Sequence, residues 1–397
     1  MPTQVLINMK VFAFYLLAFI FALSCGAQPA QRDVVAAMEL ANNRFLQKYP
    51  DPGEPTFVNK ERPSNLWTRG VYFEGLMELV KVECQTGGAM YETYRTYINN
   101  WGEAHNWTPR NGVTTRDADD YCCGQTYLDM GHAGPTEQCM DHLIACRNVP
   151  QKQGNGSSEG SFGDWTWIDA IQMGLPVLTK MSRMCRMRGD ADWARYAEQG
   201  WQMYRASRDS IAGGLFNQKQ GLWWRDKDFV PPFTTPNGKQ CYWSRGNGWV
   251  YAALARAMET LPQDPHYKDY LKDYLLMTKA LLKCRQPDGY WYVSLDDPQD
   301  FGGKELTGTA LFIYGMAWGV RTGKLPANKF CPIIYETWNK MVKDCLHPNG
   351  ALGYVQGTGK EPKDAQPVTY DREPDFDDYG LGCFLLCGTE IFKLLNR

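Results

Sequence analysis

Residues 310–320 read Ala-Leu-Phe-Ile-Tyr-Gly-Met-Ala-Trp-Gly-Val, a helical run that is apolar on every face. Such a helix must be enclosed by protein, so the chain has to supply a surrounding layer. Flanking segments provide one. Residues 267–284 and 329–346 are amphipathic, with Tyr274, Leu275, Leu281 and Leu282 on one face and Trp338, Met341, Val342 and Cys345 on the other segment's face. From Val250 the chain is apolar at Ala253, Leu254, Ala257, Met258 and Leu261, a one-sided stripe. Period and punctuation predict helices near 33–48, 66–82, 89–100, 121–130, 136–147, 165–187, 192–209, 246–261, 267–284, 306–321, 329–346 and 379–396, and no alternating strands of useful length.

A loose repeat organises them. Gly-plus-aromatic strips (Gly221-Leu222-Trp223-Trp224, Gly289-Tyr290-Trp291-Tyr292, Gly350-Ala351-Leu352-Gly353-Tyr354) each precede a Gly-rich helix start (Arg245-Gly246-Asn247-Gly248, Leu306-Thr307-Gly308-Thr309, Tyr379-Gly380-Leu381-Gly382). A helical hairpin cannot bury its own face, so repetition must close or stack. Six hairpins closing on themselves give an all-α (α/α)6 barrel with the aromatic loops gathered at one end. An open solenoid is the alternative, and it does not explain why the strips recur at one kind of junction. No linker divides residues 28–397, and Gly154-Asn155-Gly156-Ser157-Ser158 reads as a loop between hairpins.

Residues 1–27 read as a secretory signal. Lys10 precedes the uncharged run Val11–Ser24, shorter than the about 20 residues a bilayer span needs, so no transmembrane span is expected in the mature chain. Ala22-Leu23-Ser24-Cys25 is a loose lipobox, so Cys25 is a candidate lipid anchor, whereas cleavage after Ala27 would release a soluble protein. The expected location is therefore beyond the inner membrane, periplasmic or anchored as a lipoprotein. A net charge of -2 over 397 residues gives no reason to expect nucleic acid as a partner. The twelve cysteines beyond the signal contain no CxxC pair and fit no zinc pattern, so most read as small buried hydrophobes, with one or two disulfides open in an oxidising compartment.

Two acidic stretches can carry chemistry. In Arg116-Asp117-Ala118-Asp119-Asp120-Tyr121 the clustered Asp residues suit a helix N-terminus, but three exceed what a cap requires. Calcium is a further option there, without the ligand spacing of an EF-hand. In Trp165-Thr166-Trp167-Ile168-Asp169-Ala170, Asp169 is a lone acid in apolar surroundings. Such a setting raises a carboxyl pKa, as a proton donor near neutrality requires; a structural hydrogen bond is the other explanation. No GxSxG, GxGxxG or P-loop occurs, and none of the five His forms a metal-ligand pair. The stretch Tyr242-Trp243-Ser244-Arg245-Gly246-Asn247-Gly248-Trp249 admits two readings. It could be a sugar-acid pocket of aromatic faces, cation and closely approached backbone, or an Arg stacked on Trp at a helix entrance.

These strings, with Asp119-Asp120-Tyr121-Cys122-Cys123-Gly124-Gln125, Gly303-Lys304-Glu305-Leu306-Thr307-Gly308-Thr309 and Asp378-Tyr379-Gly380-Leu381-Gly382, resemble in order and spacing glycoside hydrolase family 105. That is the unsaturated rhamnogalacturonyl hydrolase family, related to the unsaturated glucuronyl hydrolases of family 88. The resemblance implies an (α/α)6 barrel that takes lyase-generated unsaturated oligosaccharides and needs no metal or organic cofactor. It implies Asp169 as proton donor with Asp120 as the second carboxylate. It places Trp243, Arg245 and Trp249 in the sugar subsite, with Trp67 and Gln125 as further substrate contacts. Arg245, with Arg69, is the expected partner of the uronate carboxylate, a surface salt bridge being the alternative for Arg69. The implied reaction hydrates the enol-ether double bond of a 4,5-unsaturated uronic acid. Competing readings are direct hydrolysis of a saturated glycoside by the same carboxylates, and a surface lipoprotein that binds glycans without turnover. The adjacent Cys122-Cys123 departs from the family's usual pattern.

Overall fold

The computed structural model describes residues 27–58, 60–153 and 156–397. The signal segment and Cys25 lie outside the described residues. Outer helices are α1 (Gln31–Lys48), α3 (Tyr91–Ala104), α6 (Gly134–Ala145), α8 (Arg195–Asp209), α10 (Tyr267–Cys284) and α12 (Ala327–Cys345). Inner helices are α2 (Trp67–Thr86), the broken pair α4 (Ala118–Tyr121) and α5 (Gly124–Asp129), α7 (Asp169–Met187), α9 (Ser244–Thr260), α11 (Leu306–Arg321) and α13 (Asp378–Leu395). The inner helices touch in the cycle α2, α13, α11, α9, α7, α4/α5 and back to α2, which closes the barrel. Each outer helix packs on the inner helix before it, and α1 packs on α13, so the chain's first helix completes the outer layer behind its last.

Burial separates the layers as the patterning predicts. Every residue of α11 from Leu306 to Val320 is buried, whereas α12 buries one face (Phe330, Ile334, Thr337, Trp338, Met341, Cys345). The inward face of α10 runs through Tyr270, Tyr274, Met277, Thr278 and Leu281, and Leu275 is turned outward at 41% exposure. Residues 244–258 of α9 are buried on all sides rather than along one stripe, and Arg256 within that span is neutralised inside the barrel. Its guanidinium pairs with Glu74 of α2, which also accepts from Gln125 and from Gln172 Nε2 (2.9 Å). This buried polar hub joins helices from four inner positions, and its cation and its anion neutralise each other there, as burial of charge demands.

Two helices begin or break differently from the periodicity. The predicted 121–130 helix is two short ones. Asp117 caps the first by accepting the Asp119 N–H (3.0 Å), and around Cys122 and Cys123 the bonds tighten to i→i+3 (Gln125 N to Cys122 O and Thr126 N to Cys123 O, both 3.1 Å). The predicted 165–187 helix starts at Asp169, since Trp167 forms a bridge with Asp226 and Ile168 N–H donates to Arg225 O (3.0 Å).

Among the described residues, strands are three two-stranded antiparallel hairpins: β1 (Thr56–Val58) with β2 (Lys60–Arg62), β3 (Gln151–Gln153) with β4 (Gly156–Ser158), and β5 (Phe216–Asn217) with β6 (Leu222–Trp223). The last belongs to the first Gly-plus-aromatic strip. A polar side chain in the first turn of the next inner helix clasps the strip's main chain: Asn247 accepts from Trp223 N–H (2.8 Å), and Thr309 accepts from Trp291 N–H (3.2 Å). The twelve described cysteines are free, and nine of them are buried. No helix among the described residues is long and apolar enough to cross a membrane.

Candidate active site

The N-terminal turns of the inner helices face one end of the barrel. There a cavity of about 180 Å³ is lined by Trp67 and Thr68 of α2, Asp119 of α4, Asp169 and Met173 of α7, Arg62 at the end of β2, and by Trp167, Arg225, Thr358, Gly359 and Phe376 from the loops. Trp167 and Arg225 also line a wider groove of about 900 Å³, bordered by Asp117, Ser158, Asp226 and Lys360, so the small cavity and the larger groove share a wall.

Asp169 is the first residue of α7 and is 9% exposed. Burial pushes its carboxyl above the ordinary carboxylate range, against the opposing pull of Arg225 and Arg245. Arg225 Nε donates to Asp169 Oδ2 (3.1 Å) and Nη1 donates to Asp226 (2.7 Å), while the bridge between Trp167 and Asp226 fixes this strip against α7. Asp119 lies close enough to feel the Asp169 charge. Burial, then the like charges of Asp117 and Asp169, push its carboxyl well above the ordinary range. The arrangement is a pair of acids of raised pKa beside one shared guanidinium, suited to holding and moving a proton.

The acidic cluster thus divides into three tasks. Asp117 caps α4, Asp119 borders the cavity, and Asp120, 3% exposed, is engaged elsewhere. Asp120 accepts from Arg110 Nη1 (3.0 Å), Asn111 Nδ2 (2.9 Å) and Thr115 Oγ1 (2.7 Å), a set that holds the preceding loop. The structure therefore brings Asp119, rather than Asp120, to Asp169.

Of the other expected contacts, Trp67 reaches the cavity, half-buried and backed by Tyr379 (ring centroids 5.4 Å) and by the edge of Trp249 (6.4 Å). Trp243, Arg245 and Trp249 are each at most 1% exposed and stand behind the wall. Arg245 lies over Trp243 (4.6 Å) and Tyr379 (5.0 Å), and donates to the carbonyls of Gln356 (2.6 Å) and Gly357 (2.8 Å). Trp243 donates to Gln356 Oε1 (2.9 Å). The cluster anchors the loop whose next residues, Thr358 and Gly359, line the cavity. Glycines on both sides of its contact with α11 let the helices approach: a Cβ on Gly248 would stand 3.0 Å from Leu311 Cδ1, and one on Gly308 of α11 would overlap Ser244 Oγ at 2.3 Å. Gln125 is fully buried in the Glu74 hub. Arg69, 2% exposed, pairs with Asp378 Oδ2 (3.3 Å) and Thr56 Oγ1 (2.8 Å), so it is a buried structural cation rather than a surface one.

Sequence reasoning missed Arg62, Trp167, Arg225 and Asp119 as cavity residues. Trp167 and Asp119 stood inside strings already singled out, and Arg225 directly follows the strip ending at Trp224. Arg62 carried no local signal.

Comparison with known proteins places this geometry. The model of Glycosyl Hydrolase Family 88 matches residues 37–395. An unsaturated 3S-rhamnoglycuronyl hydrolase of Formosa agariphila is 28% identical over 83% of this chain and 84% of its own. A protein of the same name from an Alteromonas species is 31% identical over 69% of this chain and 66% of its own. The solved structure of a glycosyl hydrolase family 88 protein from Bacteroides vulgatus superposes with a TM-score of 0.76 at 27% identity, covering 92% of this chain and all of that one. The matched family model spans the barrel from its first outer helix to its last inner one, and the chain belongs to glycosyl hydrolase family 88, a glycosidase on a closed six-hairpin barrel.

Proposed function

We propose that this glycosidase removes a 4,5-unsaturated uronic acid from the non-reducing end of oligosaccharides left by a polysaccharide lyase, with Asp169 and Asp119 as its working carboxylates. The observation that carries the reading is the small cavity in which a buried, protonatable Asp169 stands beside Asp119 under aromatic walls. The names of the two curated relatives support the substrate class.

The chemistry follows from the enol ether. Asp169, whose hold on a proton burial strengthens, gives that proton to C4, and the ring oxygen stabilises the positive charge left at C5. Water adds at C5 as a neighbouring carboxylate takes its proton. The C5 hemiketal then opens to a ketone, which leaves C1 as a hemiacetal. Collapse of that hemiacetal to the aldehyde breaks the bond to the neighbouring sugar and releases it with a hydroxyl. One water is consumed overall. A carboxyl at its ordinary pKa would hold almost no proton at neutrality, so the burial of Asp169 is what makes the first step available. Trp67 and Trp167 offer faces to the ring.

The test is incubation with an unsaturated uronyl disaccharide, followed by ultraviolet absorbance of the double bond. The expected result is loss of absorbance together with release of the second sugar. Unchanged absorbance while a saturated glycoside is cleaved would overturn the hydration reading, and binding without turnover of either would overturn the enzymatic one.

A further inference from the structure

An unsaturated uronate brings its own carboxylate into a cavity that already holds two acids. Like charges within a few ångströms raise each other's pKa and oppose binding, so the site needs a cation whose charge is not already committed. The cations around the cavity differ in this respect. Arg225 is engaged by Asp169 and Asp226, Arg69 by Asp378, and Arg245 is held under the wall by two main-chain carbonyls. Arg62 has no carboxylate within ion-pair distance among the described residues. It lines the cavity, its guanidinium lies over the Phe376 ring (5.5 Å), and its Nε is buried without an acceptor.

The fold holds it in place. Arg62 ends β2 and pairs in register with Thr56 of β1, whose hydroxyl accepts from Arg69 Nη2 (2.8 Å) on α2. Arg69 is tied in turn to Asp378 at the start of α13, so the first turns of two inner helices fix the hairpin. A planar guanidinium with open donors, desolvated on one side by an aromatic face, matches a carboxylate in shape and charge.

We propose that Arg62 receives the uronate carboxylate of the substrate, an inference that rests on the uronyl reading above. The residue then sets specificity for the acid over its neutral forms, and Arg69 is a positioning residue for it.

The test compares an unsaturated uronyl disaccharide with its methyl ester, by calorimetric binding to the Asp169→Asn protein and by kcat/KM of the wild type. The expected result is that Arg62→Gln weakens binding of the acid by about 10- to 100-fold, the range of a charge-assisted hydrogen bond, and leaves the ester nearly unchanged. Arg62→Lys should restore part of the preference. Equal losses for acid and ester, or no loss for either, would overturn the assignment and mark Arg62 as structural. If the acid binds through Arg62 yet wild type leaves the double bond intact, the hydration reading falls and this one stands. If neither ligand binds the folded protein, both fall.

Discussion

Replacing Asp119 by Asn removes a buried carboxylate whose ionisation the neighbouring Asp117, Asp169 and Asp120 disfavour. The variant should lose about 10²- to 10⁴-fold in turnover, the scale of one acid–base contribution, while its denaturation midpoint stays level or rises. Asp120→Asn should do the reverse. Its carboxylate satisfies three donors in the loop before α4, so the amide leaves a buried donor unmatched at a cost of about 1–3 kcal/mol in stability. Steady-state kinetics and urea denaturation on the two variants check this: if Asp120→Asn abolishes turnover at full stability and Asp119→Asn does not, the pairing of Asp119 with Asp169 is wrong. Adjacent residues on a helix point about 100° apart. Spacing alone could place a carboxylate near Asp169 but could not choose between neighbours.

Among the elements, the closure of the barrel depends on how closely α2 and α13 can approach. A Cβ on Gly382 would lie 2.4 Å from Val71 O, and one on Gly75 would lie 2.6 Å from Gly382 O. Both obstacles are backbone, which cannot rotate away. Gly382→Ala should therefore destabilise by about 1–3 kcal/mol through overpacking. Gly134→Ala, at the exposed start of α6 with nothing within 4 Å of the added carbon, should be neutral or slightly stabilising. Thermal denaturation of the pair decides the point, and equal midpoints would show that the helices can separate without penalty. The Gly-rich helix starts stood out in the sequence, and their purpose lies in this crossing. Arg245 makes the same point, because its donors go to carbonyls 111 and 112 positions away.

At the scale of the molecule, the barrel has a reactive end and a charged one. The second holds a cavity of about 780 Å³ lined by Glu78, Lys81, Asp129, Lys180, Glu259, Glu390 and Lys393. Burial raises the Glu390 carboxyl to about 7, outweighing the attraction of Lys393 and Arg321. A raised carboxyl means that the folded state keeps a proton the unfolded chain has released. The associated stability is complete below about 4.5 and is lost as pH climbs towards about 7. Glu390→Gln removes this titration. Relative to wild type it should gain stability between pH 4.5 and pH 7, by at most about 3 kcal/mol, and hold a constant difference above that. Denaturant midpoints at pH 5 and pH 8 measure it, and a difference that does not change with pH would refute the raised pKa.

The sequence by itself determined the layers. A helix apolar all round has to be enclosed, amphipathic partners have to enclose it, and a repeat that cannot bury its own face has to close, so the six hairpins and their loop-bearing end followed from hydropathy and punctuation. It also singled out Asp169, because a lone acid in apolar surroundings is costly without a task. Only the tertiary structure decided which groups meet Asp169. Asp119 reaches the cavity through the phase of a short capped helix, Arg225 through the bridge that its neighbour Asp226 makes with Trp167, and Arg62 through a hairpin that Arg69 ties down. The same packing withdrew Arg245, Trp243 and Trp249 from the surface. Periodicity reports how a residue sits on its own element, whereas a site is a meeting of elements distant in the chain, and their approach is set by close packing and long-range hydrogen bonds.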